Sequence, residues 1–301
     1  MAKMKKAILL YNAKAGRGTM RRNLRKIVDI FREAEYDMHA IPIEFCDNPF
    51  IGYEESDLVV VAGGDGTVNY VVNAMMRNNL SFTLGILPAG TANDFAGALG
   101  MSNRVLRAAR QIAHGQVELI DCGKIEQIDH PELPSTYFVN IFSFGIFTTT
   151  SQHTPTHLKN IMGRAAYMVE AFKELKNIQA IPLTITSDNE ALYYPTLMGL
   201  VFNGETAGRM PLARKSSLRD GLFDCLFLRK RDTAVESATD MLLYMSGVTT
   251  EAVKYIQTKE LTLVTPVEVA TDMDGQSGGG LPLRLTCLPG ALRIVCPKED
   301  S

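Results

Sequence analysis

The chain has 301 residues, enough for one large or two ordinary domains, with 46% hydrophobic residues, 21% charged residues and a formal net charge of −2. This balance fits a soluble globular protein and supplies no basis for a nucleic-acid partner, no apolar run approaches bilayer length, and the lysine-bearing start lacks the apolar stretch of a secretory signal. The five cysteines (Cys46, Cys122, Cys225, Cys287, Cys296) lack C-x-x-C spacing, which points to reduced thiols in a cytoplasmic protein and away from a zinc site.

Nine Lys or Arg and no acid fall within residues 1–28. This run and a second cluster (Arg209, Arg214, Lys215, Arg219) read either as attraction to phosphates or an anionic membrane, or as solvated faces. Ala7–Tyr11 is a short apolar strand. Thr19–Glu35 is helical, with Leu24, Ile27, Val28 and Phe31 on one face. Strands follow at Met38–Phe45 and Leu58–Ala62, the latter with the continuous apolar character of a strand buried on both faces. Thr67–Arg77 is a helix, Thr83–Leu87 a strand stopped by Pro88, and Asn103–His114 a helix closed by Gly115. This alternation predicts an α/β domain over residues 1–125, with ligands at the carboxyl ends of its parallel strands.

From about residue 126 to 301 strands crowd together: Tyr137–Ser143, Ile181–Ser187, Pro195–Asn203, Leu222–Leu228, Glu260–Thr265, Val267–Thr271, Leu283–Cys287 and Ala291–Cys296. Helices are expected at Ala165–Lys176 and Ala234–Ser246. The density of strands predicts a mainly antiparallel β-sandwich, its last strand free to return to the first domain.

Three small-residue loops then meet at one edge of the first sheet. They are Asn12–Gly18, Gly63-Gly64-Asp65-Gly66-Thr67, and Pro88–Phe95. Several glycine-bearing βα loops together offer backbone N–H groups to phosphates, which points to nucleotide binding and phosphoryl transfer. None is a Walker A loop or a G-x-G-x-x-G fingerprint. Asp65 could hold Mg²⁺ through water, accept a proton from an attacking hydroxyl, or close its own turn. The flanking glycines already supply the turn, which favours a functional Asp65.

Gly63–Asn69 and Pro88–Ala96 together resemble the diacylglycerol kinase catalytic-domain family of lipid kinases. Asn12-Ala13-Lys14-Ala15-Gly16 resembles that family's opening Asn-Pro-x-Ser/Ala-Gly, with Ala13 at the usual Pro. Asn140–Gly145 resembles the start of its second domain, Asp220–Asp224 its Asp-Gly-x-Leu/Phe-Asp motif, and Asp274-Gly275 its Asp-Gly-Glu. The resemblance implies a phosphofructokinase- or NAD-kinase-like three-layer α/β domain with a parallel sheet, followed by a β-sandwich. It implies ATP, Mg²⁺ and transfer of the γ-phosphoryl to a lipid hydroxyl, most simply that of diacylglycerol, by a cytoplasmic enzyme that reaches its lipid from the membrane surface; a homodimer is compatible with it. ATP would be held by Asn12, Gly16, Gly63, Gly64, Asp65, Gly66, Thr67, Val68, Asn69, Gly90, Thr91 and Asn93. Ser217, Asp220 and Leu222 would form a Mg²⁺ site, with carbonyls contributing at Ser217 and Leu222; read alone, Asp220-Gly221 is a turn.

Gln276 departs from the family's glutamate, taken there as general base. An amide cannot accept the hydroxyl proton, and such help is worth about 10²–10⁴-fold. Either Asp65 or Asp274 supplies the base, the chain is an impaired kinase that senses nucleotide or lipid, or the acceptor differs. Tyr70 is a second departure, at a frequent Glu. A small-molecule kinase of the NAD-kinase kind is the alternative enzyme, since Gly-Gly-Asp-Gly recurs there. Met162, Met168, Met198, Met210, Met241 and Met245 are either acyl-pocket lining or core filler, with core filler favoured.

Overall fold

The first lobe consists of β1 (Lys5–Tyr11), α1 (Thr19–Glu33), β2 (Tyr36–Pro42), β3 (Leu58–Gly63), α2 (Asp65–Arg77), β4 (Thr83–Pro88), α3 (Asp94–Ala98) and α4 (Val105–His114). The computed structural model describes residues 4–13, 19–146, 179–208, 210–213 and 215–298. The strands run parallel in the order β2-β1-β3-β4. All six residues of β3 are buried, as its unbroken apolar sequence requires. Each fully buried Val there contributes about 1.5–3 kcal/mol. From β1 the chain crosses to one side, and from β3 it crosses to the other. Right-handed crossovers of opposite direction place α1 and α2 on opposite faces and leave a crevice between the carboxyl ends of β1 and β3.

The second lobe begins with β5 (Gln116–Gln127), β6 (Thr136–Phe138) and β7 (Ile141–Gly145). It continues through β8 (Thr184–Ser187), β9 (Glu190–Tyr193), β10 (Thr196–Phe202) and a small hairpin of β11 (Thr206–Ala207) and β12 (Met210–Pro211). Then come β13 (Phe223–Arg229), α5 (Ala234–Met245), β14 (Val253–Thr258), β15 (Glu260–Val264), β16 (Thr271–Met273), β17 (Gln276–Ser277) and β18 (Leu283–Cys296). One sheet runs β14-β13-β10-β7-β16-β17 and is antiparallel throughout. It faces the β9-β8-β15-β18 sheet across a core that includes Phe138, Phe142, Phe144, Phe223, Leu261 and Leu285. Helix α5 opens on a capping box between Thr233 and Glu236.

The lobes share a ribbon. Strand β18 pairs antiparallel with β5 along nearly its whole length, parallel with β4 at Arg293–Ile294, and antiparallel with β15 at 283–286. Its register shifts between Leu288 and Leu292, so the two expected strands, Leu283–Cys287 and Ala291–Cys296, are one bent strand.

Other expectations are corrected. Tyr137–Ser143 is not continuous, because β6 ends at Phe138 and β7 starts at Ile141. Val267–Thr271 is a loop up to Ala270, and the strand begins at Thr271. Strands β5, β9, β11, β12, β14 and β17 are not among the expected ones. The expected helix Ala165–Lys176 lies outside the described residues. Among the described residues no helix is long and apolar enough to cross a membrane.

Candidate active site

The crevice between β1 and β3 is built on close backbone approach. Gly64 caps α2 in an extended conformation, and its carbonyl accepts hydrogen bonds from the N–H groups of Thr67 and Val68. The first N–H groups of α2 therefore face outward, where the helix dipole favours an anion. The Pro88–Phe95 loop lies directly against this turn. A Cβ on Gly90 would overlap the backbone of Gly64, so position 90 admits only glycine without parting the loops. Asn93, with φ of 53°, accepts from the Gly90 N–H (2.8 Å) and donates to the Gly90 carbonyl (3.0 Å). Its amide thus fixes the loop that presents Thr91.

Two cavities adjoin this turn. One, of about 590 Å³, is lined by Asn12, Gly64, Gly66, Thr67, Tyr70 and Gln276, among others. Phe45 and Tyr70 form an aromatic wall there, ring centroids 4.8 Å apart. The Tyr70 hydroxyl accepts from the Cys46 N–H and donates to the Cys46 carbonyl, fastening the Phe45 loop to α2. The Gln276 amide lies against Gly66, close enough that a Cβ at position 66 would collide with it. The second cavity, of about 330 Å³, lies on the other side of Asp65. Its wall is largely apolar, with Ile141, Leu200, Ala207, Met210 and Leu212, and its polar end carries Asp65, Asp94, Asp272 and Asp274.

The carboxylates differ in what holds them. Asp65 accepts from the Phe95 N–H at 3.1 Å; burial raises its pKa against that bond, and neighbouring Asp94 adds to the rise. Asp94 accepts from the Thr206 hydroxyl and the Gly208 N–H, both at 2.8 Å, and so ties the first lobe to the β11–β12 hairpin. Asp274 is buried and accepts four hydrogen bonds, from the N–H groups of Val139, Asn140 and Ile141 and from the Asn69 amide. Burial pushes its carboxyl up to about 6, against the pull of those donors. Capture of three consecutive N–H groups is what interrupts β6 and β7. Asp272 accepts one hydrogen bond, from the Gly275 N–H, and burial raises its pKa too.

The structure brings most of the expected site residues together. Asn12 reaches the Thr67 hydroxyl (3.4 Å). Val68 faces the core, so only its backbone is available to a ligand. The Asn69 amide is spent on Tyr137 and Asp274 and joins the lobes. Gly16 lies outside the described residues. Ser217, Asp220 and Leu222 line neither cavity. There the Asp220 carboxylate is exposed and accepts from the Leu222 N–H at 3.0 Å, and Asp121 holds Gly221 and Gly290 through 2.7 Å bonds. One carboxylate with carbonyls is an oxygen-only donor set. It fits a hard cation such as Mg²⁺ when waters complete the shell. Of the expected methionines, Met210 lines the second cavity, Met198 and Met241 are core, and Met162 and Met168 lie outside the described residues.

Sequence reasoning passed over Asp94, Asp272, Asn73 and Asp121. Asp94 sits inside the Pro88–Phe95 loop, so the sequence does carry its signal. The roles of Asn73 and Asp121 depend on partners 64 and 100 positions away.

Residues 6–125 match the model of the diacylglycerol kinase catalytic domain, and residues 140–296 that of the YegS C-terminal NAD kinase beta sandwich-like domain. A diacylglycerol kinase of Bacillus subtilis (strain 168) is 30% identical over 99% of this chain and 98% of its own. A crystal structure from Bacillus anthracis (strain Sterne), described as a candidate diacylglycerol kinase, superposes with a TM-score of 0.80 at 25% identity, covering 98% of this chain and 96% of that one. Yeast NADH kinase, solved with NADH, shares the fold alone, with a TM-score of 0.55 at 11% identity over 100% of this chain and 85% of that one.

Proposed function

We propose that this chain, which belongs to the diacylglycerol kinase family and is a lipid kinase, moves the γ-phosphoryl group of ATP to the hydroxyl of diacylglycerol, giving phosphatidic acid. The observation that carries this reading is the pair of cavities on either side of Asp65, one open to glycine-loop N–H groups and one largely apolar with a carboxylate end.

In this reading the purine ring rests on the Phe45–Tyr70 wall. The phosphates lie across Gly64–Thr67 and Thr91, where the backbone donates without a side chain in the way. The glyceride end of the acceptor enters the cavity beside Leu200 and Met210 and brings its hydroxyl to Asp65. Such a transfer depends on positioning and on stabilising charge at the phosphoryl oxygens. When bound, Mg²⁺ would supply that charge. Asp65 would hold the ion at the crevice, and Ser217, Asp220 and Leu222 would hold a second ion in a structural role, since they lie apart from both cavities. Asp274 acts as a positioning residue, joining α2 to the β6–β7 break through Asn69. The exposed Arg21, Arg22, Arg25 and Lys26 of α1 offer a basic face for contact with an anionic membrane.

Purified protein with labelled ATP and Mg²⁺, presented in parallel with diacylglycerol in mixed micelles and with NAD, tests this reading. Label in phosphatidic acid, abolished in Asp65→Ala, is the expected result. Label in NAD would favour the small-molecule reading. Nucleotide binding without transfer would favour the sensor reading that Gln276 motivates.

A further inference from the structure

The proposed transfer leaves one proton without an acceptor. Gln276 cannot take it, because an amide has no basic lone pair at neutral pH. Its side chain also lies on the nucleotide side, against Gly66. Asp274 is sealed by four donors, and Asp94 is held by Thr206 and Gly208.

Strand register supplies another carboxylate. Asp272 pairs with Ser143 on β7, and Ser143 pairs with Leu200 on β10. Residues paired across strands present side chains on one face, so Asp272, Ser143 and Leu200 form a row. That row is the floor of the 330 Å³ cavity. Asp272 is half-buried there, with one oxygen on the Gly275 N–H and no donor to the other among the described residues.

We propose that Asp272 is the general base of this chain, taking the proton of the acceptor hydroxyl. This rests on the lipid-kinase reading of the same site. The hydroxyl oxygen attacks the γ-phosphorus as its proton passes to the Asp272 carboxylate. The bond from the γ-phosphorus to the β,γ-bridging oxygen breaks, and its electron pair leaves on ADP. The proton is then released from Asp272 to water. Asp65 and Asp94 face the cavity from the first lobe, and Asp274 from the adjoining turn; no Lys, Arg or His lines it among the described residues. Burial raises the proton affinity of Asp272 against the pull of the Gly275 N–H, which suits a base.

The test compares wild type, Asp272→Asn, Gln276→Glu and the double variant, with labelled ATP, Mg²⁺ and mixed-micelle diacylglycerol. Asparagine keeps the shape and the Gly275 contact, so the fold should be retained, and unchanged ATP affinity checks this. The expected result is a kcat lowered about 10²–10⁴-fold in Asp272→Asn, the scale of general-base help, with KM for ATP unchanged. Its pH–rate profile should lose the acid limb that wild type shows as Asp272 becomes protonated. Gln276→Glu in that background should leave the loss in place, because position 276 lies on the nucleotide side, against Gly66. Wild-type kcat in Asp272→Asn, or a lowered kcat with the acid limb intact, would overturn the assignment while leaving the lipid-kinase reading standing. No lipid phosphorylation by wild type would overturn both.

Discussion

Asp65, Asp94, Asp272 and Asp274 converge on one cavity, and their hydrogen-bond partners separate their roles. Two are saturated by protein donors and two keep capacity for a ligand or a proton. The expectation that Asp274 could serve as the base came from its place in the Asp274-Gly275 turn. Nothing near it in sequence shows that its carboxylate is occupied, because the three N–H groups it holds lie 133–135 residues earlier. A different carboxylate gives a prediction at this scale. Asp224 is buried in β13 and hydrogen-bonds the Tyr255 hydroxyl. Burial first, and the charge of Asp220 second, push its carboxyl up to about 6. The folded state therefore binds this proton more tightly than the unfolded chain, whose carboxyl titrates near ~3.9. The resulting stability is complete below the unfolded value and is lost as pH rises through about 6. Chemical denaturation of Asp224→Asn beside wild type at pH 4 and pH 7.5 should show the variant gaining relative stability at the higher pH. An equal difference at both values would show that Asp224 does not titrate in this window.

At the scale of elements, α2 organises the site. Its first turn faces the cavity walled by Phe45 and Tyr70, its Asn69 and Asn73 hold Tyr137 of β6, and its apolar residues pack in the core of the first lobe. The Gly63–Thr67 turn was legible because glycine there answers a local steric demand. Gly90 answers a non-local one, the backbone of Gly64 across the crevice. Gly90→Ala should weaken ATP binding at least tenfold, about 1.4 kcal/mol, because the Cβ parts the two loops. Isothermal titration with ATP measures it; an affinity within twofold of wild type would show that the loops need not touch. Strand β5 is not legible in the sequence for a physical reason. Its first half, Gln116-Val117-Glu118-Leu119, pairs with β18 on one side and leaves Val117 and Leu119 exposed, so its polarity does not follow a buried face. Strand β14 likewise pairs on one side only, with β13.

At the scale of the molecule, the β5–β18 ribbon runs through both lobes, and Asp121 fixes its bend by holding Gly290 and the Asp220-Gly221 turn together. The α/β-then-β-sandwich order was readable because helix and strand periodicities change along the chain. The cavity between the lobes was not readable, since it requires β11–β12, β16 and the Pro88–Phe95 loop to converge. The two cavities proposed for nucleotide and acceptor are separate and adjoin the Gly64–Gly66 turn, so the proposal requires direct transfer within a ternary complex. Initial-rate kinetics test this most directly, with ATP varied at several fixed surface concentrations of diacylglycerol. The account predicts double-reciprocal lines that intersect. Parallel lines, the mark of a covalent phospho-enzyme, would contradict it.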